Sequence, residues 1–519
     1  MREILESYVL VFGVGAAVAI GAKRIGMPYN VALVVIGLLL VFSSVLPHAQ
    51  LDPEVVLVAF LPILVFEAAL FADADSLRGA SRPILALAVP GVVISLVATA
   101  GVATFALGLP FSAALLLGAL LSITDTVSVL LAFRSIRVPH RLAAIMEGES
   151  LFNDGTALVL VSLTSTVVAT GHIDYAATTR SLILAMVGGV AVGAIFGALG
   201  AAALRRTPDH LTGILTAGVL VFATSLLAER IHASPVIAVV VAGLVVGRAA
   251  RHALEPSRVL ALQGFWEAIG FSINVLLFEL VGMQIDARMF LTEAGSILAA
   301  VLALHIGRAV AVYGCFAVLR ALGREAVPMR WQHVMVFGNI KGALSMAAVL
   351  ALPADLPYRQ RLVTIVFGVT FITLITQALP FRRILRALRV AAGGTDDVFD
   401  QSRARLIAAR RGQTELDGML GTGLLSRAEH AERRAAFQRT IIEAELKLRT
   451  PEADAADDVI IDGAILTAQK AALLDAARRG LVGSETAERE IAEIDRRLLK
   501  LSASHESTPH GVPSPPETT

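Results

Sequence analysis

The sequence is poor in cysteine, in aromatic residues and in clustered positive charge. Its 519 residues include one cysteine, Cys315, so no disulfide can form within the chain and the redox compartment is not indicated. Aromatic residues make up 6% of the chain, the net charge is +1, and no basic patch is interleaved with aromatic residues. These absences argue against a nucleic-acid partner.

Apolar residues are what the sequence has in excess. They make up 56% of the chain, and the mean hydropathy is +0.73. A membrane helix needs about 20 such residues to cross the hydrocarbon core, and about 13 runs of this kind precede residue 390. They lie near 8–22, 29–46, 53–71, 83–108, 111–133, 141–170, 181–204, 210–228, 234–247, 262–285, 291–319, 331–352 and 360–381. We therefore predict an all-α polytopic membrane protein.

Basic residues between the runs predict the orientation of the chain. Short cytoplasmic loops are enriched in Lys and Arg. One set of alternate loops is rich in arginine, including Arg134, Arg137 and Arg141, and four arginines follow the last run, whereas the other set has few. We predict a multi-pass protein of the cell (inner) membrane, with its N-terminus outside and its C-terminal segment in the cytoplasm.

The composition changes after residue 390. AGGTDD at 392–397 reads as a hinge, and residues 391–501 then form a predicted cytoplasmic helical tail. Ser426 and Glu429 have the spacing of a capping box that opens a helix ending near Arg449. Further amphipathic pieces lie near 462–479 and 485–501, and residues 502–519 are predicted to be disordered. A solubilising or dimer-stabilising role and a regulatory role both fit this tail.

Ionisable residues inside the predicted spans are the strongest indication of function. A charge at mid-membrane costs about 2.5 to 3.5 kcal/mol on insertion scales, so such residues usually pair, line a cavity or carry function. Here they are Glu67, Asp125, Glu149, Asp154, Glu279, His305, Arg308 and Lys341. For His305 we favour a hydrogen-bonded interior histidine over a proton carrier. Acidic groups outnumber basic ones, as a path for cations requires.

The stretch MEGESLFNDG at 146–155 places its polar groups on two helical stripes. Glu149 and Asn153 are four residues apart and share a face, and Ser150 and Asp154 share the neighbouring face. The oxygens of Ser150 and Asp154 can form half of a shell for a small hard cation. Glu149 is then free to pair with Arg308, the only arginine in the middle of a predicted span.

Two predicted spans are interrupted by polar residues. In the span at 111–133, four Ser and Thr residues surround Asp125, and in the span at 331–352 the run Gly338-Asn339-Ile340-Lys341-Gly342 breaks the apolar pattern. Unwound helices in transporters supply ion ligands near the bilayer midplane. We therefore predict an inverted repeat with two broken, crossing helices.

At these segments the sequence resembles monovalent cation:proton antiporters of the NhaP and sodium/proton-exchanger type. The likeness covers about residues 1–390 and is carried by TD at 124–125, ESLFNDG at 149–155 and GxxKGALS at 338–345. It implies a homodimer in which a core domain, about 83–170 and 291–385, moves as an elevator against a dimerisation scaffold, about 8–71 and 181–285. It implies no cofactor and no enzymatic activity, with H⁺ and a monovalent cation as substrates.

The resemblance also implies roles for individual residues. Asp154 is the carboxylate that binds ion and proton, with Asn153 beside it, and Asp125 lies at the helix crossover. Three further groups complete the implied site: Ser150, the Thr124 carbonyl and Glu67. Glu149 and Arg308 form the implied core salt bridge. Lys341 compensates charge at the broken helix.

Three positions depart from the family pattern. Thr126 stands where the family usually has Pro, so the break there is expected to be shaped differently. Lys341 stands where Arg is common, and Glu279 where an apolar residue is more usual; Glu279 has no assigned role.

The predicted function is exchange of Na⁺, or of Li⁺ or K⁺, for H⁺ by alternating access, in the service of pH and sodium homeostasis. Burial disfavours the charged form of a carboxylate, so proton and cation compete for Asp154. The Asn-Asp pair leaves one titrating charge at this position, and the resemblance implies electroneutral one-for-one exchange, which accompanies such a pair in the family. Alternatives are a K⁺/H⁺ antiporter or a channel on the same fold. An intramembrane aspartyl protease is less favoured, because TD and NDG replace its expected YD and GxGD.

Overall fold

The computed structural model describes most of the chain, in segments. These are residues 2–25, 27–43, 53–125, 129, 133, 136, 138–172, 174–207, 209–284, 287–323, 327–390, 394–421, 424–448, 466, 469, 473, 486 and 489–494. Every regular element in these segments is helical, which confirms the all-α class. The described residues fall into two compact units, one within Met1–Ala392 and one within Gly393–Thr519.

In the first half of the membrane unit the described residues form nine α-helices. They are α1 (Arg2–Ile25), α2 (Tyr29–Ser43), α3 (Leu61–Phe71), α4 (Ala74–Gly79), α5 (Ser81–Ala86), α6 (Val92–Leu107), α7 (Phe111–Leu120), α8 (His140–Thr170) and α9 (Tyr175–Arg206). A π-helical segment, Val55–Phe60, leads directly into α3, and another, Leu87–Gly91, joins α5 to α6. The second contains Pro90, whose ring and missing N–H disturb regular α-helical bonding.

The described residues of the second half form nine more α-helices. They are α10 (His210–Arg230), α11 (Pro235–Ala253), α12 (Pro256–Met283), α13 (Ala287–Thr292), α14 (Ala294–Ala321), α15 (Met329–Phe337), α16 (Ala343–Leu350), α17 (Arg359–Thr373) and α18 (Phe381–Ala387). A third π-helical segment, Leu374–Ala378, extends α17. The C-terminal unit contributes α19 (Gly394–Gly421) and α20 (Arg427–Leu448).

Eight described helices are long and apolar enough to cross a membrane, and α8 matches the predicted span at 141–170 closely. Shorter apolar stretches lie at Val9–Ala22, Tyr29–Leu40, Val55–Phe71 and Phe111–Leu120. The two polar-interrupted spans are not continuous helices: α7 stops at Leu120, and α15 and α16 are separated by residues 338–342. The total of about 13 spans stays a prediction.

Packing separates the membrane helices into two groups. In what we call the crossing group, α6 packs against α14 and α7, α7 against α8, and α17 against α14 and α16. In the scaffold group, α2 packs against α1 and α12, α3 against α11, and α9 against α10 and α11. The groups meet where α8 contacts α11 and where α16 contacts α12.

Small residues allow α9 and α11 to approach closely. A Cβ added at Gly189 would lie 2.9 Å from the carbonyl oxygen of Ser234, and one at Gly193 would collide with the carbonyl of Ala238. At Gly197 it would lie 3.0 Å from the Cα of Ala242. The repeated GxxxG spacing in α9 is therefore a packing motif.

The described part of the C-terminal unit is a helical hairpin of α19 and α20. The capping box is confirmed: the backbone N–H of Glu429 donates to the Ser426 hydroxyl at 3.3 Å, and the Ser426 N–H donates to the Glu429 carboxylate at 3.2 Å. The hydrogen bond from the Ser426 hydroxyl lowers the pKa of the Glu429 carboxyl below its usual range. His430 lies 2.7 Å from an Asp417 oxygen across the hairpin.

Two predictions about the tail differ from the structure or lie outside it. The predicted hinge at 392–397 is partly wrong, because α19 already begins at Gly394; Thr and Asp residues favour helix starts, so this sequence opens a helix. The pieces predicted near 462–479 and 485–501 lie mostly outside the described residues, as do 502–519.

Candidate functional site

The site is built where two unwound segments cross. Residues 121–125 after α7 and residues 338–342 between α15 and α16 are not helical. They are joined by a hydrogen bond from the Asp125 N–H to the Ile340 carbonyl, 2.8 Å long. A Cβ at Gly342 would lie 2.8 Å from the Cβ of Asp125, so the crossing requires glycine there. The polar interruptions in the sequence thus correspond to two breaks in contact with each other.

The ESLFNDG segment of α8 lies against the first break. The Thr124 N–H donates to Asp154 Oδ1 at 3.3 Å, and Asn153 Nδ2 donates to the Ser122 carbonyl at 2.9 Å. The hydroxyls of Thr124 and Ser150 are 3.1 Å apart. The two predicted stripes of α8 therefore converge on one stretch of unwound chain. In these contacts Thr124 uses its N–H and hydroxyl, and the role predicted for its carbonyl stays a prediction.

One acceptor in this cluster has no hydrogen-bond partner in the part of the chain that the structure describes. Asn153 is 2% exposed, and its Oδ1 has no hydrogen-bond partner among the described residues. Buried polar atoms usually have a hydrogen-bond partner. A buried oxygen that lacks one, beside a carboxylate, can instead bind a ligand that accepts its lone pair. A small hard cation has that chemistry.

A small cavity opens beside the first break. Its volume is about 20 Å³, close to what one water or one desolvated small ion occupies. It is lined by Thr124, Asp125, Val129, Met146, Glu149, Ser150, Arg308 and Gly338. Four of the eight lining residues carry an oxygen-bearing side chain, which suits a cation.

Asp125 has a neighbour that the sequence did not indicate. It is 8% exposed, and its Oδ2 accepts a hydrogen bond from Asn30 Nδ2 at 3.4 Å. Asn30 is fully buried near the start of α2, in the scaffold group. A polar residue opening an otherwise apolar run is the only signal that could have found it. This hydrogen bond links the crossing to the other group of helices.

Lys341 lies at the centre of the crossing and is fully buried. Its Nζ donates to the Ile123 carbonyl at 3.0 Å and to Asn339 Oδ1 at 2.7 Å. The Ile123 carbonyl lies just after the C-terminal end of α7, where free carbonyls favour a positive group. The structure thus places Lys341 where compensation of a broken helix was predicted.

Glu149 and Arg308 form a bidentate ion pair. Nη1 and Nη2 of Arg308 each donate to one oxygen of Glu149, the second at 2.9 Å. Nε and Nη2 also donate to the Met335 carbonyl, at 3.2 and 3.1 Å. The pair is almost fully buried and ties α8, α14 and α15 together.

Two acids lie away from this cluster. The Glu67 carboxylate on α3 packs against Gly270 of α12, where any Cβ would collide with it, and Glu67 does not line the cavity. Glu279 of α12 is fully buried, and neither of its carboxyl oxygens has a hydrogen-bond partner among the described residues. Thr126 lies outside the described residues, so the effect of the missing proline there is not decided.

Known proteins share this sequence and fold. A family model described as the transmembrane sodium/hydrogen exchanger matches residues 9–387. The chain is 36% identical over 514 residues to the Na⁺/H⁺ antiporter NhaS2 of Synechocystis sp., covering 96% of this chain and 94% of that protein. It is 29% identical over 530 residues to the Na⁺/H⁺ antiporter NhaG of Bacillus atrophaeus, covering 97% and 99%.

A solved structure supports the fold independently. The sodium proton antiporter MjNhaP1 from Methanocaldococcus jannaschii superposes with a TM-score of 0.62 at 18% identity, covering 75% of this chain and 98% of that chain. At this identity the likeness concerns the fold alone. Together with the family model and the relatives, it shows that the chain belongs to the transmembrane sodium/hydrogen exchanger family.

Proposed function

We propose that this protein exchanges Na⁺ for H⁺ across the membrane, with Asp154 as the carboxylate that binds the two ions in turn. The observation that carries the proposal is the crossing of two broken helices, with the partly exposed Asp154 and the orphaned Asn153 oxygen beside it. The names of NhaS2 and NhaG support sodium as the cation.

Competition at Asp154 explains why exchange is coupled. A carboxylate in the membrane is costly when it is neither protonated nor paired with a cation. The empty site, with Asp154 charged, therefore resists the movement between the two sides, whereas a proton or a cation on Asp154 neutralises that carboxylate. Because Asn153 brings no second charge, each cycle moves one cation against one proton.

The ligands of the cation follow from the same geometry. Asn153 Oδ1, the hydroxyls of Thr124 and Ser150, and the carboxylates of Asp154 and Asp125 supply oxygen donors at the first break. In this assignment Glu67 is not a direct ligand of the cation, because its carboxylate lies at the interface between α3 and α12. The pair of Glu149 and Arg308 holds α8 in place and does not bind the ion.

The two groups of helices suggest how the site changes sides. The crossing group carries the polar residues, and the scaffold group contacts it chiefly through α11 and α12. In our proposal the crossing group moves as an elevator against the scaffold, and the scaffold forms a homodimer. The N-terminus lies outside the inner membrane and the tail in the cytoplasm, and the exchange serves pH and sodium homeostasis.

The test is exchange in proteoliposomes. We would record dequenching of a pH-sensitive dye on addition of Na⁺, Li⁺ or K⁺, for the wild type and for Asp154→Asn. We expect Na⁺-dependent proton movement that disappears in the variant. The matched control is Asp75→Asn, the same change at a half-exposed acid paired with Arg248, which should leave exchange intact.

Each other outcome has a defined meaning. Unchanged movement in Asp154→Asn would refute the assignment of the site. A response to K⁺ alone would establish a K⁺/H⁺ antiporter in its place. Cation flux without proton movement would indicate a channel, and no movement of either ion in the folded wild type would refute the function.

A further inference from the structure

A histidine and a glutamine outside the ion site are bonded to the second break. His305 of α14 has Nδ1 2.7 Å from the Val301 carbonyl, so Nδ1 must carry a hydrogen and donate it. Its other nitrogen, Nε2, lies 2.5 Å from the side-chain amide of Gln377. Gln377 is 3% exposed and belongs to the π-helical segment that extends α17.

The Gln377 amide has one orientation that satisfies all of its neighbours. With its oxygen toward His305 Nε2, its nitrogen donates to the carbonyls of Asn339 at 3.1 Å and Phe337 at 3.2 Å. In the reverse orientation the amide oxygen faces these two carbonyls, and acceptors oppose each other. The first orientation requires a hydrogen on Nε2 of His305. Because Nδ1 already donates, the ring in that arrangement is an imidazolium cation.

The carbonyls that Gln377 reaches belong to the break itself. Phe337 is the last residue of α15, where carbonyls lose their helical partners. The side chain of Asn339 accepts from Lys341 Nζ, and Lys341 Nζ also donates to the Ile123 carbonyl of the first break. Hydrogen bonds therefore run from His305 through Gln377 to the crossing that presents the ion site.

The helix that carries Gln377 supports the same break at a second point. The Thr373 hydroxyl, one turn earlier, accepts from the backbone N–H of Lys341 at 3.2 Å. π-helical turns occur mostly at functional sites, where they re-aim side chains. Here the turn lies where Gln377 must reach two carbonyls of a neighbouring segment.

We propose that His305 and Gln377 are positioning residues for the second broken helix, and that a proton on His305 selects the Gln377 orientation that caps the break. The inference rests on the proposed exchange function and adds a control point to it. Histidine is the side chain whose charge ordinarily changes between about pH 5 and 8. The caps on Phe337 and Asn339 would then be present at low pH and lost as pH rises.

Two basic residues lie near His305. Arg308, one turn along α14, is positive, and its charge is compensated by its ion pair with Glu149. Lys341 lies across the break, where its Nζ donates to the Ile123 carbonyl and to Asn339 Oδ1.

Among the described residues, no carboxylate lies on the other elements that pack against α14. His333 of α15 is bonded to the Tyr313 hydroxyl at 2.7 Å, and Arg361 of α17 donates to the Leu107 carbonyl. Arg288 lies on α13 just before α14, and Arg82 on α5, which adjoins the far end of α14. Neither α6 nor the Leu87–Gly91 segment has a titratable residue, and α17 has none after Arg361.

The first test compares the Na⁺ dependence of exchange at two pH values. We would measure the apparent KM for Na⁺ in Gln377→Leu, in His305→Gln and in wild type, at about pH 5.5 and about pH 8. At the lower pH we expect Gln377→Leu to have a KM about fivefold above wild type, the equivalent of one lost hydrogen bond. The amide nitrogen of His305→Gln can donate to the Gln377 oxygen at any pH, so this variant should match wild type at the lower pH. At the higher pH the ratio of Gln377→Leu to wild type should approach one, and His305→Gln should have the lower KM.

A matched control substitutes the neighbouring residue. Thr376→Val changes an exposed side chain whose hydroxyl bonds only within its own helix, to Ile372, and it should match wild type at both pH values. A ratio of Gln377→Leu to wild type that is the same at both pH values would overturn the role of the proton. No change at either pH would overturn the positioning role as well.

The second test does not depend on transport. Hydrogen–deuterium exchange of peptides spanning residues 329–350 would be measured in the full-length detergent-solubilised protein without Na⁺. Comparing variant with wild type at the same pH cancels intrinsic exchange rates. We expect Gln377→Leu to exchange faster than wild type only at the lower pH, and protection equal to wild type at both pH values would contradict the inference. If the wild type exchanges no ions, the proposed function fails while this measurement still decides the inference.

Discussion

Each of the two groups of membrane helices buries a glutamate, and the two glutamates have opposite surroundings. Glu149 in the crossing group is 3% exposed and shares both carboxylate oxygens with Arg308. Glu279 in the scaffold group is fully buried, and neither of its oxygens has a hydrogen-bond partner among the described residues. The same side chain thus links helices through an ion pair in one region, and in the other it is a buried carboxyl that lacks hydrogen bonds to the described residues. Burial alone therefore does not reveal whether an acid matters.

The largest expected effect is on the compensated glutamate. Glu149→Leu leaves the guanidinium of Arg308 buried without its counter-charge, and removing one partner of a buried pair costs about 3 to 5 kcal/mol. We expect a large fall in the thermal unfolding temperature of the detergent-solubilised protein and in the yield of folded material. An unfolding temperature equal to that of wild type would show that the pair is not needed to hold α8, α14 and α15.

The second effect concerns Lys341, the buried lysine of the crossing group. Lys341→Met removes the donor to the Ile123 carbonyl and to Asn339 Oδ1, and each buried acceptor left unsatisfied costs about 1 to 3 kcal/mol. We expect Na⁺-dependent proton movement in proteoliposomes to fall by at least about tenfold, the factor that about 1.4 kcal/mol represents. Lys447→Met, at an exposed position of α20, is the control and should leave exchange unchanged. Wild-type exchange in Lys341→Met would remove Lys341 from the site.

The third effect is a gain in stability, and it tests the contrast between the two glutamates most directly. Glu279→Leu replaces an unsatisfied buried carboxyl by an apolar side chain, so we expect the protein to gain about 1 kcal/mol. Its unfolding temperature should rise while exchange stays the same. Glu149→Leu is the matched substitution and should lower the unfolding temperature. A loss of exchange in Glu279→Leu would instead give Glu279 a function in the scaffold.

The smallest effect is expected at an exposed ion pair. Arg248 and Asp75 lie 3.0 Å apart with about half of each side chain exposed, and such pairs contribute about 0 to 1 kcal/mol. We expect Arg248→Ala to change the unfolding temperature little at low salt and not at all at high salt. A change in unfolding temperature as large as that of Glu149→Leu would mean that burial does not determine how much each ion pair stabilises the protein.

Local sequence predicted much of the candidate site. Asn153 and Asp154 follow Glu149 and Ser150 by one helical turn, so their stripes on α8 could be drawn before any tertiary contact was known. The breaks were also visible, because Ser, Thr, Gly and Asn interrupt otherwise apolar runs. Arg308 could be paired with Glu149 because no other arginine lay in the middle of a predicted span.

Long-range contacts were beyond such reasoning. Asn30 reaches Asp125 from 95 residues away, and Lys341 reaches the Ile123 carbonyl from 218 residues away. A carbonyl is present at every residue, so the sequence cannot indicate which one a lysine will cap. Glu67 illustrates the converse: it has the residue type expected of a ligand, but packing of α3 on α12 places its carboxylate against Gly270.

The sequence by itself determined that the chain is a helical membrane protein with polar breaks and an acid-rich turn, because hydrophobicity and helical periodicity are local properties. The tertiary structure alone decided that the two breaks cross, that Lys341 caps Ile123 and that Gln377 joins His305 to the second break. It also decided that Glu279 has no hydrogen-bond partner among the described residues. These outcomes depend on how helices distant in the chain pack, and packing fixes which polar atoms come within hydrogen-bonding distance.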